Sequence, residues 1–173
     1  LNYTEVVSGG LQDSCEIYHT LRVPRGGEYT LVLADGTTVY LNAESELRFP
    51  KQFRGKKRKV YLTGEGYFDV QRNEKQPFIV EAQQVAIRVL GTSFGVRAYT
   101  REVNVLTTLV QGRVNVEADG QQVELNPGQQ ADFNRENDRL TVAEVDVEQY
   151  VGWKDGRLVF DNKPLEFILE ELG

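Results

Sequence analysis

At 173 residues, 40% hydrophobic and 27% charged, the chain can hold one domain of ordinary size, or one domain and the start of another. It is too apolar for disorder and lacks the long apolar runs of a membrane span. A formal net charge of -6 argues against nucleic acid as the main partner, because phosphate binding needs clustered positive charge.

Residues 1–22 read as an N-terminal extension without a charged segment followed by an apolar one, so no signal peptide is visible. It carries the single cysteine, Cys15, and the single histidine, His19. One cysteine excludes an intramolecular disulfide, and this inventory argues against a zinc centre. No metal or cofactor is expected, and His19 is expected at the surface or on an edge strand.

From about Tyr29 to Val145, short runs with period-two alternation are broken by Gly, Asp, Asn and Pro, which is the pattern of an all-β sandwich or barrel. In Leu31–Leu41, Asp35-Gly36 predicts a two-residue type I′ turn that sets Val32 opposite Val39. The same device at Asp119-Gly120 sets Val116 opposite Val123 and Val114 opposite Leu125, leaving Asn115, Glu117, Gln122 and Glu124 to face water. Val32 to Asn42 and Val116 to Asn126 share the pattern V-x-A-D-G-x-x-V-x-L-N, an internal repeat. The fold class expected over residues 23–145 is therefore a double-sheet, jelly-roll-like sandwich with two similar halves, whose hairpins superpose about an approximate twofold. Glycines such as Gly66 and Gly112 are expected at strand corners.

After Val145 the character changes. Asp146 and Gln149 form the pattern of a capping box that opens a short helix, making residues 146–156 a helical linker that contains Trp153. Leu158 and Phe160 belong to a predicted strand. Pro164 starts a predicted helix with Leu165, Ile168, Leu169 and Leu172 on one face. A strand and an amphipathic helix cannot bury themselves alone, so residues 157–173 read as the first βα unit of a truncated small α/β domain.

Three patterns invite chemistry. Gly91-Thr92-Ser93-Phe94-Gly95 matches the G-x-S-x-G nucleophile elbow, but strand alternation continues through it and no histidine follows. Glu65 and Asp69 lie four apart in a predicted strand, the spacing of a carboxylate pair, and read as solvated strand residues. No catalytic residue is assigned. Lys51, Arg54, Lys56, Lys57, Arg58 and Lys59 form a basic cluster, either a solvated hairpin loop or an electrostatic contact for an acidic partner, anionic lipid headgroups or lipopolysaccharide.

Several segments taken in order are specific. They include Val23-Pro24-Arg25-Gly26-Gly27-Glu28, Leu33 to Ala43, Leu62 to Val70, Pro77-Phe78-Ile79-Val80, Val89 to Phe94, Thr107 to Gly112, Leu125 to Ala131 and Trp153 to Phe160. Together they resemble the periplasmic region of FecR-type anti-sigma regulators, in a style closest to Bacteroides-like transmembrane sensors. The resemblance implies a non-enzymatic signal-relay module, periplasmic and membrane-anchored through a helix in the full-length inner-membrane protein. It also implies two partners. One is the signalling domain of a TonB-dependent outer-membrane transporter; the other is an extracytoplasmic-function sigma factor, held by a cytoplasmic domain absent from this chain. Trp153, Leu158, Phe160, Leu165, Ile168, Leu169 and Leu172 become candidate interdomain or partner-binding residues, while Lys56, Lys57, Arg58 and Lys59 become candidates for electrostatic contact. The alternative, from another functional class, is a carbohydrate-binding or glycan-cleaving β-sandwich, which exposed aromatics on a concave face would favour.

Overall fold

A computed structural model describes residues 2–7, as backbone, and residues 17–155. The strands are β1 (Asn2–Val7), β2 (Ile17–Arg22), β3 (Tyr29–Val32), β4 (Thr38–Leu41), β5 (Glu46–Pro50), β6 (Arg58–Asp69) and β7 (Phe78–Ala82). They continue with β8 (Val85–Val89), β9 (Ser93–Ala98), β10 (Asn104–Gln111), β11 (Val114–Ala118), β12 (Gln121–Leu125), β13 (Gln129–Asn134) and β14 (Arg139–Glu144). A helix α1 (Val147–Val151) and a 3-10 helix (Gly152–Asp155) follow. The all-β class agrees with the alternation in the sequence. The separation into two stacked sheets does not: the 14 strands form one hydrogen-bonded network that is nearly closed and barrel-like.

Strand β6 is the reason. Its first half pairs with β5 and, in parallel, with β7; its second half pairs with β4 and β9. Between the halves Gly64 takes φ +103°, and a Cβ there would lie 2.4 Å from Ser45 Oγ, so both conformation and space demand glycine. The corner is tied by Glu65 N–H donating to Ser45 Oγ at 2.8 Å. One side of the corner carries the ladder β1-β2-β5-β6-β7-β8-β11-β12, and the other carries β3-β4-β6-β9-β10-β13-β14. Inward side chains from both fill one core, in which Phe68 stacks on Phe94 at 5.3 Å and tilts against Phe78 at 6.2 Å. Gly112, at φ +99°, follows the bulge in β10 as a corner; Gly66 has no positive φ and lies within β6.

The two Asp-Gly hairpins are not copies. The second has the expected register, Val116 opposite Val123 and Val114 opposite Leu125, with both Asp119 and Gly120 at positive φ. In the first, Leu31 faces Val39 and Val32 faces Thr38, and only Gly36 of the pair has positive φ. One residue of slip exchanges faces: Leu33 and Val39 go inward while Val32 is 65% exposed. The cause is the side chain at the second-last position before the Asp. Leu33 belongs in the core, whereas its counterpart Glu117 belongs in water. The residue-for-residue match of the two hairpins expected from the repeat therefore fails.

Asp35 stays in the turn, which the Gly36 N–H closes on the Leu33 carbonyl at 2.9 Å, and takes on a second task. Its carboxylate accepts from Thr37 N–H, Thr37 Oγ1–H and Arg58 Nη1–H, the last at 2.7 Å. Arg58, expected in a surface cluster, is fully buried. Its guanidinium also donates to the carbonyls of Gln71, Asn73, Gln76 and Leu90, which pins the β6–β7 connection and the end of β8 to the start of β6. His19 is likewise interior, 8% exposed on β2 between β1 and β5, with its ring 5.6 Å from Phe49. Leu21 on the same strand is core, so residues 17–22 are integrated into the sheet. At α1, Asp146 is the N-cap as expected, but its side chain makes no capping bond.

Candidate functional site

Strand pleating places alternate residues on the outer face of the β4-β6-β9-β10-β13 ladder. Cross-strand pairing then aligns Tyr40, Tyr67, Gly95, Thr108 and Gln130 in one row, perpendicular to the strands. The row should be exposed, yet Tyr67 is 6%, Thr108 2% and Gln130 7% exposed. What covers this face is the segment Val147–Asp155, with α1 packed on β9 and β10 and Lys154 reaching over β4 and β6. We call it the strap.

Gly95 is the saddle of the row. A Cβ on it would stand 2.9 Å from Val151 Cγ1, and Gly95 has no positive φ, so the glycine serves space rather than backbone conformation. Val151 is 2% exposed in this seat. Farther along, Lys154 Nζ lies 4.7 Å from the Tyr67 ring centroid and pairs with the Asp155 carboxylate, and Tyr40 meets Tyr67 edge-on at 5.8 Å. Burial pushes the Tyr67 phenol above its ordinary range. Gln130 Nε2–H donates to Thr108 Oγ1 at 3.0 Å, so the polar end of the row satisfies itself.

Polar pairs flank the row. On one side Ser93 Oγ–H donates to the Asp69 carboxylate at 3.1 Å, across the β6–β9 pair. On the other, Glu65 Oε1 accepts from Asn42 Nδ2–H and Arg97 Nη1–H, while Arg97 makes two bonds to Glu102. Glu65 is 6% exposed, against the expectation of a solvated residue, and it shares no bond with Asp69. Burial raises the Glu65 carboxyl above its usual range despite the arginine, because Arg97 is foremost the partner of Glu102, whose carboxyl it lowers. Gly91, the other glycine of the elbow pattern, leaves room for Arg72, whose Cα lies 2.7 Å from where a Cβ would be.

Of the candidate interdomain residues, Trp153 is half-buried within the strap, while Leu158, Phe160, Leu165, Ile168, Leu169 and Leu172 lie outside the described residues. Of the electrostatic candidates, Lys56 and Lys57 are exposed in the β5–β6 connection. Lys59 instead pairs with Glu81 at 2.9 Å across the β6–β7 ladder, and Arg58 is interior. The row itself escaped sequence reasoning, since it joins residues from five strands; the one local signal was a glycine at an outward position of a strand that needs none. Among residues 17–155 no aromatic side chain is exposed, and among the described residues no helix is long and apolar enough to cross a membrane.

A search of curated proteins found no match. Two crystal structures of a candidate anti-sigma factor from Parabacteroides distasonis ATCC 8503 are each 32% identical to this chain. They superpose with TM-scores of 0.77 and 0.78, covering 88% and 90% of this chain and 72% and 73% of theirs. A family model described as FecR protein matches residues 19–115, from β2 into β11 and more than half the chain. These similarities converge on one assignment: the chain belongs to the FecR protein family of anti-sigma factors.

Proposed function

We propose that this chain is the extracytoplasmic signal-relay module of a transmembrane anti-sigma regulator and that the strap is its moving part. The signalling domain of a TonB-dependent outer-membrane transporter engages the chain beyond Asp155. The pull or push reaches the β domain through Val151 on Gly95 and Lys154 on Tyr67, and the membrane-anchored regulator changes its hold on a sigma factor in the cytoplasm. The module lies in the periplasm, and no bond is made or broken. The observation that carries this reading is the glycine saddle. A strand glycine kept only to seat one valine couples the β domain to the segment that leads into residues 156–173.

The test uses the full-length regulator. Gly95→Val should displace Val151, leave the β domain folded because that face lies outside the core, and abolish sigma-dependent transcription in response to a loaded transporter. Leu165→Asp with Leu169→Asp should abolish capture of the transporter's signalling domain in a pulldown, while Gly95→Val should retain it. Normal transcriptional response of the folded Gly95→Val protein would refute the strap as the relay; normal capture by the double variant would move recognition to the β domain.

A further inference from the structure

The corner in β6 brings loops from distant parts of the sequence to one end of the molecule. The β5–β6 connection, residues 51–57, and the β6–β7 connection, residues 70–77, meet where Gln76 Nε2–H donates to the Gly55 carbonyl at 3.1 Å. Phe53 anchors the first loop edge-on against Phe78 at 5.8 Å, and Arg58 anchors the second through the carbonyls of Gln71, Asn73 and Gln76. These loops expose six cations, Lys51, Arg54, Lys56, Lys57, Arg72 and Lys75, against one acid, Glu74, which pairs with Arg72. Among the described residues no ion pair involves the other five. The cap thus carries +6 - 1 = +5, and the rest of the chain carries -6 - 5 = -11.

We propose that this cationic cap docks on an anionic lipid surface through headgroup phosphates. Four of the six cations are lysines, compact charges on long flexible stems that suit a diffuse array of phosphates more than bidentate recognition of one carboxylate. The loops also lack the exposed aromatic anchor that a protein interface usually centres on, because Phe53 turns inward. The strong negative charge elsewhere is repelled by the same surface and fixes the orientation, cap downward. Residues 71–77 join the cluster only through the fold, and Arg58 and Lys59 leave it for the same reason.

The test is sedimentation of the 173-residue chain with vesicles of phosphatidylglycerol and phosphatidylcholine, against vesicles of phosphatidylcholine alone. Binding to the anionic vesicles should weaken as salt rises. Each basic side chain near an anionic surface contributes about fivefold, so Lys56→Gln, Lys57→Gln and Lys75→Gln together should lower partitioning about a hundredfold. Arg25→Gln, Arg101→Gln and Arg139→Gln, which remove the same charge elsewhere, should leave it within a few-fold, with melting curves confirming that both variants fold. The proposal is overturned by no preference for anionic vesicles, by equal losses in the two variants, or by soluble polyglutamate binding the cap as tightly as the vesicles do, which would assign it to an acidic protein.

Discussion

Two ionisable side chains, Arg58 and Glu65, are buried in the fold. Arg58 stands in a run of four basic residues, yet all five of its N–H donors are spent on interior acceptors. Lysine has three donors and no planar fork, so Arg58→Lys should cost about 3–5 kcal/mol, the range for breaking a buried pair, read as a fall in urea midpoint. Glu65 is held with a raised pKa, so its folded form binds its proton more tightly than the unfolded chain does. The stability tied to that proton is present at acid pH and is lost as pH rises through the raised value. Glu102 has the opposite sign: its contribution is present at neutral pH and is lost as pH falls through its lowered value. Glu65→Gln, which keeps an oxygen for Asn42 and Arg97, should therefore melt no lower than the parent at neutral pH and lose any advantage in acid. Glu102→Gln should melt lower at neutral pH, with the gap closing in acid. A pH series of thermal melts distinguishes them.

Local pattern fixes an element only where no distant contact outbids it. Both Asp-Gly hairpins were legible as hairpins, but only the second took the register that its turn dictates. In the first, core demand for Leu33 and the Asp35–Arg58 pair shift the ladder by one residue. The β7–β8 turn gives the reverse case, for nothing in Gln83-Gln84 announces a turn, yet both residues hold positive φ, 42° and 76°. Pairing of Ala82 with Val85 enforces the tight two-residue loop. Such conformations cost of order 1 kcal/mol or more per residue outside glycine and asparagine. Gln83→Asn with Gln84→Gly should relieve that, offset partly by the looser unfolded chain, and raise the melting temperature by about 2–4 °C. A variant no more stable than the parent would show that the turn is unstrained. The strap belongs at this scale too: its helix was legible from Asp146 onward, but its seat was not, because periodicity names faces and never says what will lie on them.

For the molecule as a whole, alternation and turn spacing gave the all-β class, and the ordered motifs gave the family. Neither contains the pairing that makes two expected sheets one network, since β6 meets β9 across separations of 24 to 34 residues and β4 across 25 to 31, contacts with no local signature. The corner at Gly64 has a consequence in time as well as in space. As the chain emerges from N to C, β6 appears with only β4 and β5 available, and both its remaining edges wait for β7 and β9. Until Ala82 is out both of those edges are open templates, and the edge along Gly64–Asp69 stays open until Ala98, the state most exposed to mispairing. A nascent chain halted before β9 should accordingly be protease-sensitive and aggregation-prone, and one halted after β14 should be resistant. The span from β6 to Ala98 is thus the stretch over which this domain cannot yet protect its own central strand.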